Sequence, residues 1–224
     1  MSRKFVVSDI HGCYDTFRAL LDAIAFTKSD QLFLLGDYIN RGLKSKEVID
    51  YLIYLEKEGY QLTLLKGNHE EMLENTILLK HWNPGPQESL RSFGVRHLNQ
   101  LHNRYVDWFN ALKNYHVEDE FIMVHAGLNF DTIDPFSNQR SLLWAKDWYQ
   151  SIDYNWLKGF KIIHGHQPTP INDILHQLDC LEIYQVLNID NGCFVTNTTD
   201  YGRMCCFELN SRKLYYQKNC EKLS

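Results

Sequence analysis

The sequence lacks three features that would define its class at once. No apolar run approaches the roughly 18 residues of a membrane-spanning helix, and the segment before the first apolar run is too short for a signal peptide. The formal net charge of -5 is not the basic excess typical of nucleic-acid-binding proteins, and the six cysteines show no paired C-x-x-C spacing. These absences predict a protein of the reduced cytoplasm that binds neither nucleic acid nor membrane.

The chain also lacks any stretch rich in proline, glycine or serine that would separate two domains. Its 224 residues are 44% hydrophobic, which is enough to bury one sizeable core. We therefore predict a single domain over residues 1–224. After the breaker Asn83-Pro84-Gly85-Pro86 the apolar spacing is helical, so we also predict a helical insertion around residues 81–119.

Three segments share one pattern, in which a short apolar run ends at a glycine or aspartate among polar side chains. They read KFVVSDIHGCYD (4–15), QLFLLGDYINRG (31–42) and QLTLLKGNHEEM (61–72). Each run suits a buried strand that ends in a loop, and the stretches between them have helical spacing. Loops at the carboxyl ends of parallel strands converge on one crevice. We therefore expect five residues to meet there: Asp9, His11, Asp37, Asn68 and His69.

The same pattern recurs later in the chain. FIMVHAGL (121–128) and FKIIHGHQP (160–168) are apolar runs that end in His125 and His166. Short strands are predicted at 185–189, 193–196, 204–209 and 213–217, as a second sheet that ends in a meander or hairpin. In the first half of the chain, Ser45 is predicted to cap the helix that follows it.

The motifs SDIHG, GDYINRG, GNHEE, HAGL, HGHQP and NIDNG follow one another over residues 4–193. In this order they resemble the phosphoprotein phosphatase branch of the calcineurin-like metallophosphoesterases, in its compact bacterial and phage form. The resemblance implies an α/β fold, a four-layer α/β/β/α sandwich of two mixed β-sheets flanked by helices. It also implies a dinuclear metal centre at the carboxyl ends of the central strands.

The resemblance further implies six metal ligands. The first two bind one ion, the third bridges both ions, and the last three complete the second site: Asp9, His11, Asp37, Asn68, His125 and His166. Oxygen and imidazole donors without thiolate suit two divalent ions, with manganese favoured and iron or zinc as alternatives. The implied reaction is in-line attack of metal-bound hydroxide on phosphorus, without a phosphoenzyme intermediate.

By the same resemblance, His69 is the general acid and Arg41 grips the substrate phosphate. Two positions depart from the family pattern. Asn40 stands where the family usually has an aspartate that orients the acid histidine; it can accept a hydrogen bond but carries no charge. Lys146 is the cation nearest to where compact members often place a second phosphate-binding arginine, and it lacks the planar guanidinium fork.

The substrate stays open at this point. The leading prediction is a serine/threonine protein phosphatase, because the span between His125 and His166 is short and the chain contains GNHE. The alternative is a symmetrical dinucleoside tetraphosphate hydrolase, a sister family that also lacks the aspartate at position 40 but generally carries a long insertion in that span. A third alternative is a non-catalytic phosphoprotein-binding module, although unused metal ligands would cost stability. The expected partner is therefore a phosphoprotein or another phosphoester.

Overall fold

The computed structural model describes residues 2–79, 87–196 and 198–222. The strands are β1 (Lys4–Val7), β2 (Gln31–Leu34), β3 (Gln61–Leu64), β4 (Tyr115–Glu118), β5 (Phe121–Val124), β6 (Lys161–His164), β7 (Val186–Asn188), β8 (Asp190–Asn191), β9 (Arg203–Glu208) and β10 (Lys213–Lys218). The α-helices are α1 (Tyr14–Ala23), α2 (Ser45–Lys57), α3 (Asn68–Leu79), α4 (Gln87–Ser92), α5 (Asn103–Asn110), α6 (Gln139–Trp144), α7 (Tyr154–Leu157), α8 (Ile171–Asp179) and α9 (Leu181–Tyr184). Short 3-10 helices cover Leu98–Gln100 and Tyr149–Ser151.

The strands form two mixed sheets. In the first, the order is β10-β9-β1-β2-β3, with β1, β2 and β3 parallel, β9 antiparallel to β1, and the short β8 paired with β9. In the second, the order is β4-β5-β6-β7, with β5, β6 and β7 parallel and β4 antiparallel at the edge. In both sheets the central parallel strands place their carboxyl ends at one edge.

Alternation along the strands produces a layered core. Phe5 and Val7 of β1 pack in one hydrophobic cluster with α1, α2 and α5, whereas Val6 between them packs with Met123 and Ile163 of the second sheet. Side chains on the other face of the second sheet pack against α6 and α7. The order of layers is therefore helices, sheet, sheet, helices, which confirms the predicted four-layer sandwich.

Several local predictions were wrong. Ser45 is the first residue of α2 and not its cap, because its hydroxyl instead accepts a hydrogen bond from the backbone N–H of Asn40. Residues 193–196 form a turn and loop, and the hairpin β9–β10 extends the first sheet. The helical insertion predicted around residues 81–119 is not among these errors: its described part holds α4, the 3-10 helix Leu98–Gln100 and α5, and strand β4 follows at its end. Residues 80–86, with the predicted breaker, lie outside the described residues.

Candidate metal centre

The ends of five parallel strands deliver the polar residues that the sequence pattern singled out. Two of these residues follow β1, one follows β2, two are the first residues of α3 after β3, and one follows each of β5 and β6. In chain order the seven are Asp9, His11, Asp37, Asn68, His69, His125 and His166. The structure brings all seven together at the shared edge of the two sheets, as contacts between their side chains show.

Asp37 lies at the centre of this cluster. Its Oδ2 is 3.4 Å from His11 Nε2, and its Oδ1 is 3.5 Å from His125 Nε2. Donor atoms of His11, Asp37 and His69 lie within 4.8 Å of one another, and so do those of Asp37, His125 and His166. Asp37 thus belongs to two separate three-residue groups, one on each of its carboxylate oxygens.

Backbone carbonyl groups fix the orientation of two of these histidines. His11 Nδ1 lies 2.9 Å from the carbonyl oxygen of Ile39, and His125 Nδ1 lies 3.0 Å from that of Leu35. Each Nδ1–H donates to its carbonyl, so the neutral ring presents the lone pair of Nε2 to the centre. Burial lowers the pKa of both rings, which favours this neutral form.

Asn68 reveals how well the donor set suits a cation. Its Oδ1 lies 2.8 Å from His125 Nε2 and 2.9 Å from His166 Nδ1. Because His125 has placed its proton on Nδ1, an oxygen lone pair and a nitrogen lone pair face each other at that distance. His166 Nε2 is buried and has no hydrogen-bond partner among the described residues. A divalent ion between such donors would satisfy lone pairs that the protein alone leaves opposed.

The buried carboxylates of the centre also favour a bound cation. Burial raises the pKa of Asp37 well above its usual value, and the neighbouring carboxylates of Asp9 and Glu70 raise it further. Asp9 accepts hydrogen bonds from the Ser8 hydroxyl and from the backbone N–H of His166, and its Oδ1 is 3.9 Å from His11 Nε2. A positive ion at this position would reverse the electrostatic cost of grouping these acids.

Glycines allow the loops to approach the carboxylates this closely. A Cβ at Gly67 would lie 2.1 Å from Asp37 Oδ1, and a Cβ at Gly165 would lie 2.1 Å from Asp9 Oδ2. No side chain can occupy either space without displacing a carboxylate.

The backbone around the centre adopts an uncommon conformation. Five site residues have positive φ angles: His11 (48°), Asp37 (54°), Asn40 (68°), Arg41 (71°) and His166 (74°). Left-handed conformations in residues other than glycine cost of order 1 to 3 kcal/mol each and cluster at functional sites.

His69 and Asn40 form the predicted pair, but the hydrogen bond runs in the opposite direction. Asn40 Oδ1 accepts from the Ser89 hydroxyl at 2.5 Å, so Asn40 Nδ2 is the group that faces His69 Nδ1, at 2.7 Å. The sequence left Asn40 able to accept a hydrogen bond, but in the structure its oxygen accepts from Ser89 and its amide nitrogen faces His69. The imidazole proton is placed on Nε2, which lies 3.9 Å from Asp37 Oδ2. Burial, with the nearby His11 and Arg41, lowers the pKa of His69 to about 3.

The two predicted phosphate-binding cations have different neighbours in the centre: Arg41 lies near His11, and Lys146 lies near His166. Arg41 is exposed, its guanidinium carbon is 5.3 Å from the centroid of the Phe194 ring, and that ring lies 5.0 Å from the ring of His11. Lys146 is exposed near His166, where burial, His125 and the Lys146 charge lower the pKa of His166 to about 4. Within residues 2–79, 87–196 and 198–222, neither cation has a hydrogen bond or ion pair.

Sequence reasoning missed Glu70. Its buried carboxylate accepts hydrogen bonds from the backbone N–H groups of Asp37 (2.8 Å), Tyr38 (2.9 Å) and Gly67 (2.9 Å), and burial raises its pKa to about 7. Glu70 therefore ties the second metal loop to the third. The available signal was its position in the first turn of α3, where a carboxylate can reach free N–H groups.

Asp190 and His164 were missed as well. Asp190 is buried close enough to Asp9 that burial and the charge of Asp9 both raise its pKa, and its Oδ1 accepts from the backbone N–H of Gly192 at 2.7 Å. His164 Nε2 pairs with the hydroxyl of Tyr149 at 2.6 Å. Both residues lie within motifs that the sequence analysis recognised, NIDNG and HGHQP. The motifs alone did not indicate which residues Asp190 and His164 contact.

Residues 3–193 match the sequence profile of the family described as calcineurin-like phosphoesterase. The chain belongs to this family of phosphoesterases, and it is therefore a hydrolytic enzyme. The predicted calcineurin-like metallophosphoesterase family is thus confirmed, whereas its phosphoprotein phosphatase branch stays a prediction. Together with the two donor groups around Asp37, membership indicates divalent-metal binding.

Among curated proteins, the chain is 28% identical over 183 residues to a symmetrical bis(5'-nucleosyl)-tetraphosphatase of Nitrosospira multiformis, covering 80% of this chain and 62% of that protein. It is 33% identical over 129 residues to the protein of the same name from Nitrosomonas europaea, covering 55% of this chain and 44% of that one. The chain therefore spans about half to three fifths of the length of these relatives.

Solved structures share the fold at low sequence identity. A protein described as a candidate diadenosine tetraphosphatase superposes with a TM-score of 0.64 at 18% identity, covering 99% of this chain and 95% of the other. A serine/threonine phosphatase from Saccharomyces cerevisiae superposes with a TM-score of 0.68 at 16% identity, covering 99% and 81%. In the described part of this chain, no helix is both long and apolar enough to cross a membrane.

Proposed function

We propose that this chain hydrolyses dinucleoside tetraphosphates symmetrically, with two divalent metal ions as cofactors. One observation carries the dinuclear chemistry: Asp37 offers each of its carboxylate oxygens to a different imidazole, His11 Nε2 at 3.4 Å and His125 Nε2 at 3.5 Å. A carboxylate in this position suits a bridge between two ions. The names of the relatives support the substrate.

Under this proposal the six predicted ligands keep their roles. Asp9 and His11 would hold one ion, Asp37 would be shared by both, and the remaining three would hold the other: Asn68, His125 and His166. When bound, the ions supply a water activated at neutral pH and offset the negative charge of the phosphates. The orientation of His11 and His125 comes from the backbone, because both Nδ1–H groups donate to carbonyl oxygens.

The protein itself contributes phosphate binding and proton donation. Among the described residues the guanidinium fork of Arg41 makes no hydrogen bond or ion pair, and a fork beside the centre suits two oxygens of one phosphate. His69 carries its proton on Nε2, on the side that faces Asp37, because Asn40 donates to its Nδ1. His69 gives that proton to the bridging oxygen as the bond between this oxygen and the attacked phosphorus breaks. The oxygen of a water takes its place on phosphorus, and one proton of that water returns to His69 while the other stays with the product phosphates. Cleavage in the middle of the chain gives two nucleoside diphosphates. Lys146 stands near His166 as a further cation for phosphate.

A serine/threonine protein phosphatase is the second candidate. The span between His125 and His166 is short, which is the reason the sequence analysis favoured this activity. The same ligands, the same Arg41 and the same His69 would act on a phosphoserine or phosphothreonine ester. The two candidates therefore differ in the leaving group and in the surface around the centre.

Product analysis separates them. Purified protein with added manganese is expected to convert diadenosine tetraphosphate into ADP alone and to release little phosphate from phosphoserine or phosphothreonine peptides. Asp37→Asn is expected to lose bound metal and turnover together, whereas Asp22→Asn, an exposed carboxylate on α1, loses neither. ATP and AMP as products would contradict symmetrical cleavage. Phosphate release from the peptides without ADP would support the second candidate.

A further inference from the structure

A cavity of about 870 Å³ opens beside the metal centre. Its walls come from the second metal loop, from the loop between β8 and β9, and from the residues that follow β10. Volumes of roughly 300 to 1,000 Å³ are typical of sites that bind small molecules. The cavity therefore has room for a ligand of nucleotide size next to the reacting phosphate.

Two residues join the cavity to the centre. Arg41 lines the cavity and belongs to the loop that carries Asp37. Phe194 also lines it, with the Arg41 guanidinium 5.3 Å from its ring centroid and the His11 ring 5.0 Å away. A phosphate held by Arg41 at the metals would thus lie at the mouth of the cavity, and the rest of the substrate would extend into it.

The charge of the cavity is opposite to that of the protein. The chain as a whole has a formal net charge of -5. Among the described residues that line the cavity, two are acidic, Glu47 and Glu221. Five are basic: Arg41, Lys44, Arg203, Lys218 and Lys222. Lys44 is already paired with Asp15 and Glu221, but Lys218 is exposed, and its ammonium has no hydrogen bond or ion pair among the described residues. A local excess of cations suits a chain of phosphates.

Tyr201 gives the cavity an aromatic wall. It is half-buried, and in the described part of the chain its ring pairs with no other aromatic ring and its hydroxyl with no polar group. In the part of the chain that the structure describes, the buried Nε of Arg203 beside it has no hydrogen-bond partner. An aromatic face next to unpaired donors is suited to a nucleobase, which offers a flat ring and acceptors at its edge.

We propose that this cavity binds the nucleoside half of the substrate that lies beyond the phosphate held by Arg41, with Lys218 on the phosphates and Tyr201 against the base. This inference rests on the proposed function, since only a dinucleoside polyphosphate has such a second half. The cavity then acts as the specificity element of a centre whose metal chemistry alone would accept any phosphoester.

The test compares two substrates on the metal-loaded protein. Tyr201→Ala and Lys218→Ala are each expected to lower kcat/KM for diadenosine tetraphosphate about tenfold relative to kcat/KM for p-nitrophenyl phosphate, which has no second half. The matched controls are Tyr154→Ala and Lys158→Ala, an exposed tyrosine and an exposed lysine at α7. They are expected to leave the ratio between the two substrates unchanged.

A binding measurement gives a readout that does not depend on turnover. We expect the Kd for ADP, measured by calorimetry, to be about tenfold higher for Tyr201→Ala than for the wild-type protein. The Kd for Tyr154→Ala is expected to equal that of the wild type. Equal losses on both substrates, or a loss confined to phosphopeptides, would overturn the assignment of the cavity. Absence of ADP among the reaction products of the wild-type protein would instead overturn the proposed function, and ADP titrations of the same variants would still report on the cavity.

Discussion

Asn40 determines the position from which His69 can release its proton. Its oxygen is occupied by the Ser89 hydroxyl, so its amide N–H donates to His69 Nδ1 and leaves the imidazole proton on Nε2. An aspartate there would accept from Nδ1–H and support a charged ring. An asparagine instead selects a neutral tautomer, and it does so through a hydrogen-bond chain that ends on α4.

We predict that His69→Asn keeps its metal and loses about 10²- to 10⁴-fold in kcat on a substrate with a poor leaving group. The loss on p-nitrophenyl phosphate should be smaller, since nitrophenolate departs without a proton. Steady-state kinetics on both substrates, with elemental analysis, measure these changes. His97→Asn, an exposed histidine, serves as the control. Equal losses for the two leaving groups would show that His69 is not the proton donor.

At the residue scale, the sequence predicted the location in the fold of those residues that directly follow a strand. Asp9 and Asp37 are distant in the chain but follow the neighbouring parallel strands β1 and β2, so their meeting was predictable, whereas His125 follows a strand of the other sheet and was placed with them by the family resemblance. Ser89 was not predictable, because it reaches Asn40 from α4, and no local pattern relates the two. The role of Glu70 was only partly visible: its position in the first turn of α3 was a signal, but its partners are backbone N–H groups, which any sequence possesses.

Helix α1 illustrates how elements at opposite ends of the chain depend on each other. Its N-cap residue, Cys13, makes no side-chain capping hydrogen bond. Instead, Glu221 Oε1 accepts from the backbone N–H of Thr16 at 2.8 Å and from its hydroxyl at 3.0 Å. The carboxylate also places a negative charge at the positive end of the helix. The residues after β10 thus cap the helix that begins directly behind the first metal loop.

Glu221→Ala is expected to lower the free energy of unfolding by about 0.5 to 2 kcal/mol, the usual effect of losing a capping side chain. Urea unfolding followed by circular dichroism measures the change. Glu58→Ala provides a matched comparison, because Glu58 forms only an exposed ion pair with Lys28, at 3.3 Å, and should change stability by less than about 0.5 kcal/mol. If the two variants proved equally stable, the capping role would be disproved.

At the element scale, strand existence was predictable but strand partners were not. The hairpin β9–β10 was expected in the second sheet, whereas β9 pairs with β1 in the first. Cys205 of β9 packs between the two sheets and Cys206 packs under the helices, so both faces of this strand are buried. A strand that is apolar on both faces fits a central position in either sheet. Its side-chain pattern therefore does not show which of the two sheets it joins.

At the scale of the whole molecule, both sheets send acidic groups to one end. Asp9 and Asp37 follow strands of the first sheet, and Asp190 lies where the chain passes from β7 of the second sheet into β8 of the first. Burial raises the pKa values of Asp37 and Asp190, and the charge of Asp9 raises them further. Grouping buried carboxylates is unfavourable without a cation, so the protein without metal carries an electrostatic cost at the joint between its sheets.

Metal binding is therefore expected to stabilise the entire fold. At a free metal concentration of about 100 times Kd the gain is about 2.7 kcal/mol, and for a chain of this size each kcal/mol raises Tm by about 2 to 4 °C. Calorimetric scans with manganese and with chelator measure it. Asp37→Asn should be at least as stable as the metal-free wild type and should respond less to manganese. A Tm unaffected by chelator would contradict the metal centre.

The left-handed residues around the centre restrict which amino acids the metal loops can accept. Positions 37, 40 and 41 lie in a region of backbone space that β-branched residues avoid, irrespective of the chemistry of their side chains. The accessible sequence space at these positions narrows to glycine, asparagine, aspartate and a few others. Arg41 departs from that short list, which agrees with the phosphate-binding role proposed for its guanidinium. A library built to alter substrate choice would leave this loop intact and diversify the loop between β8 and β9.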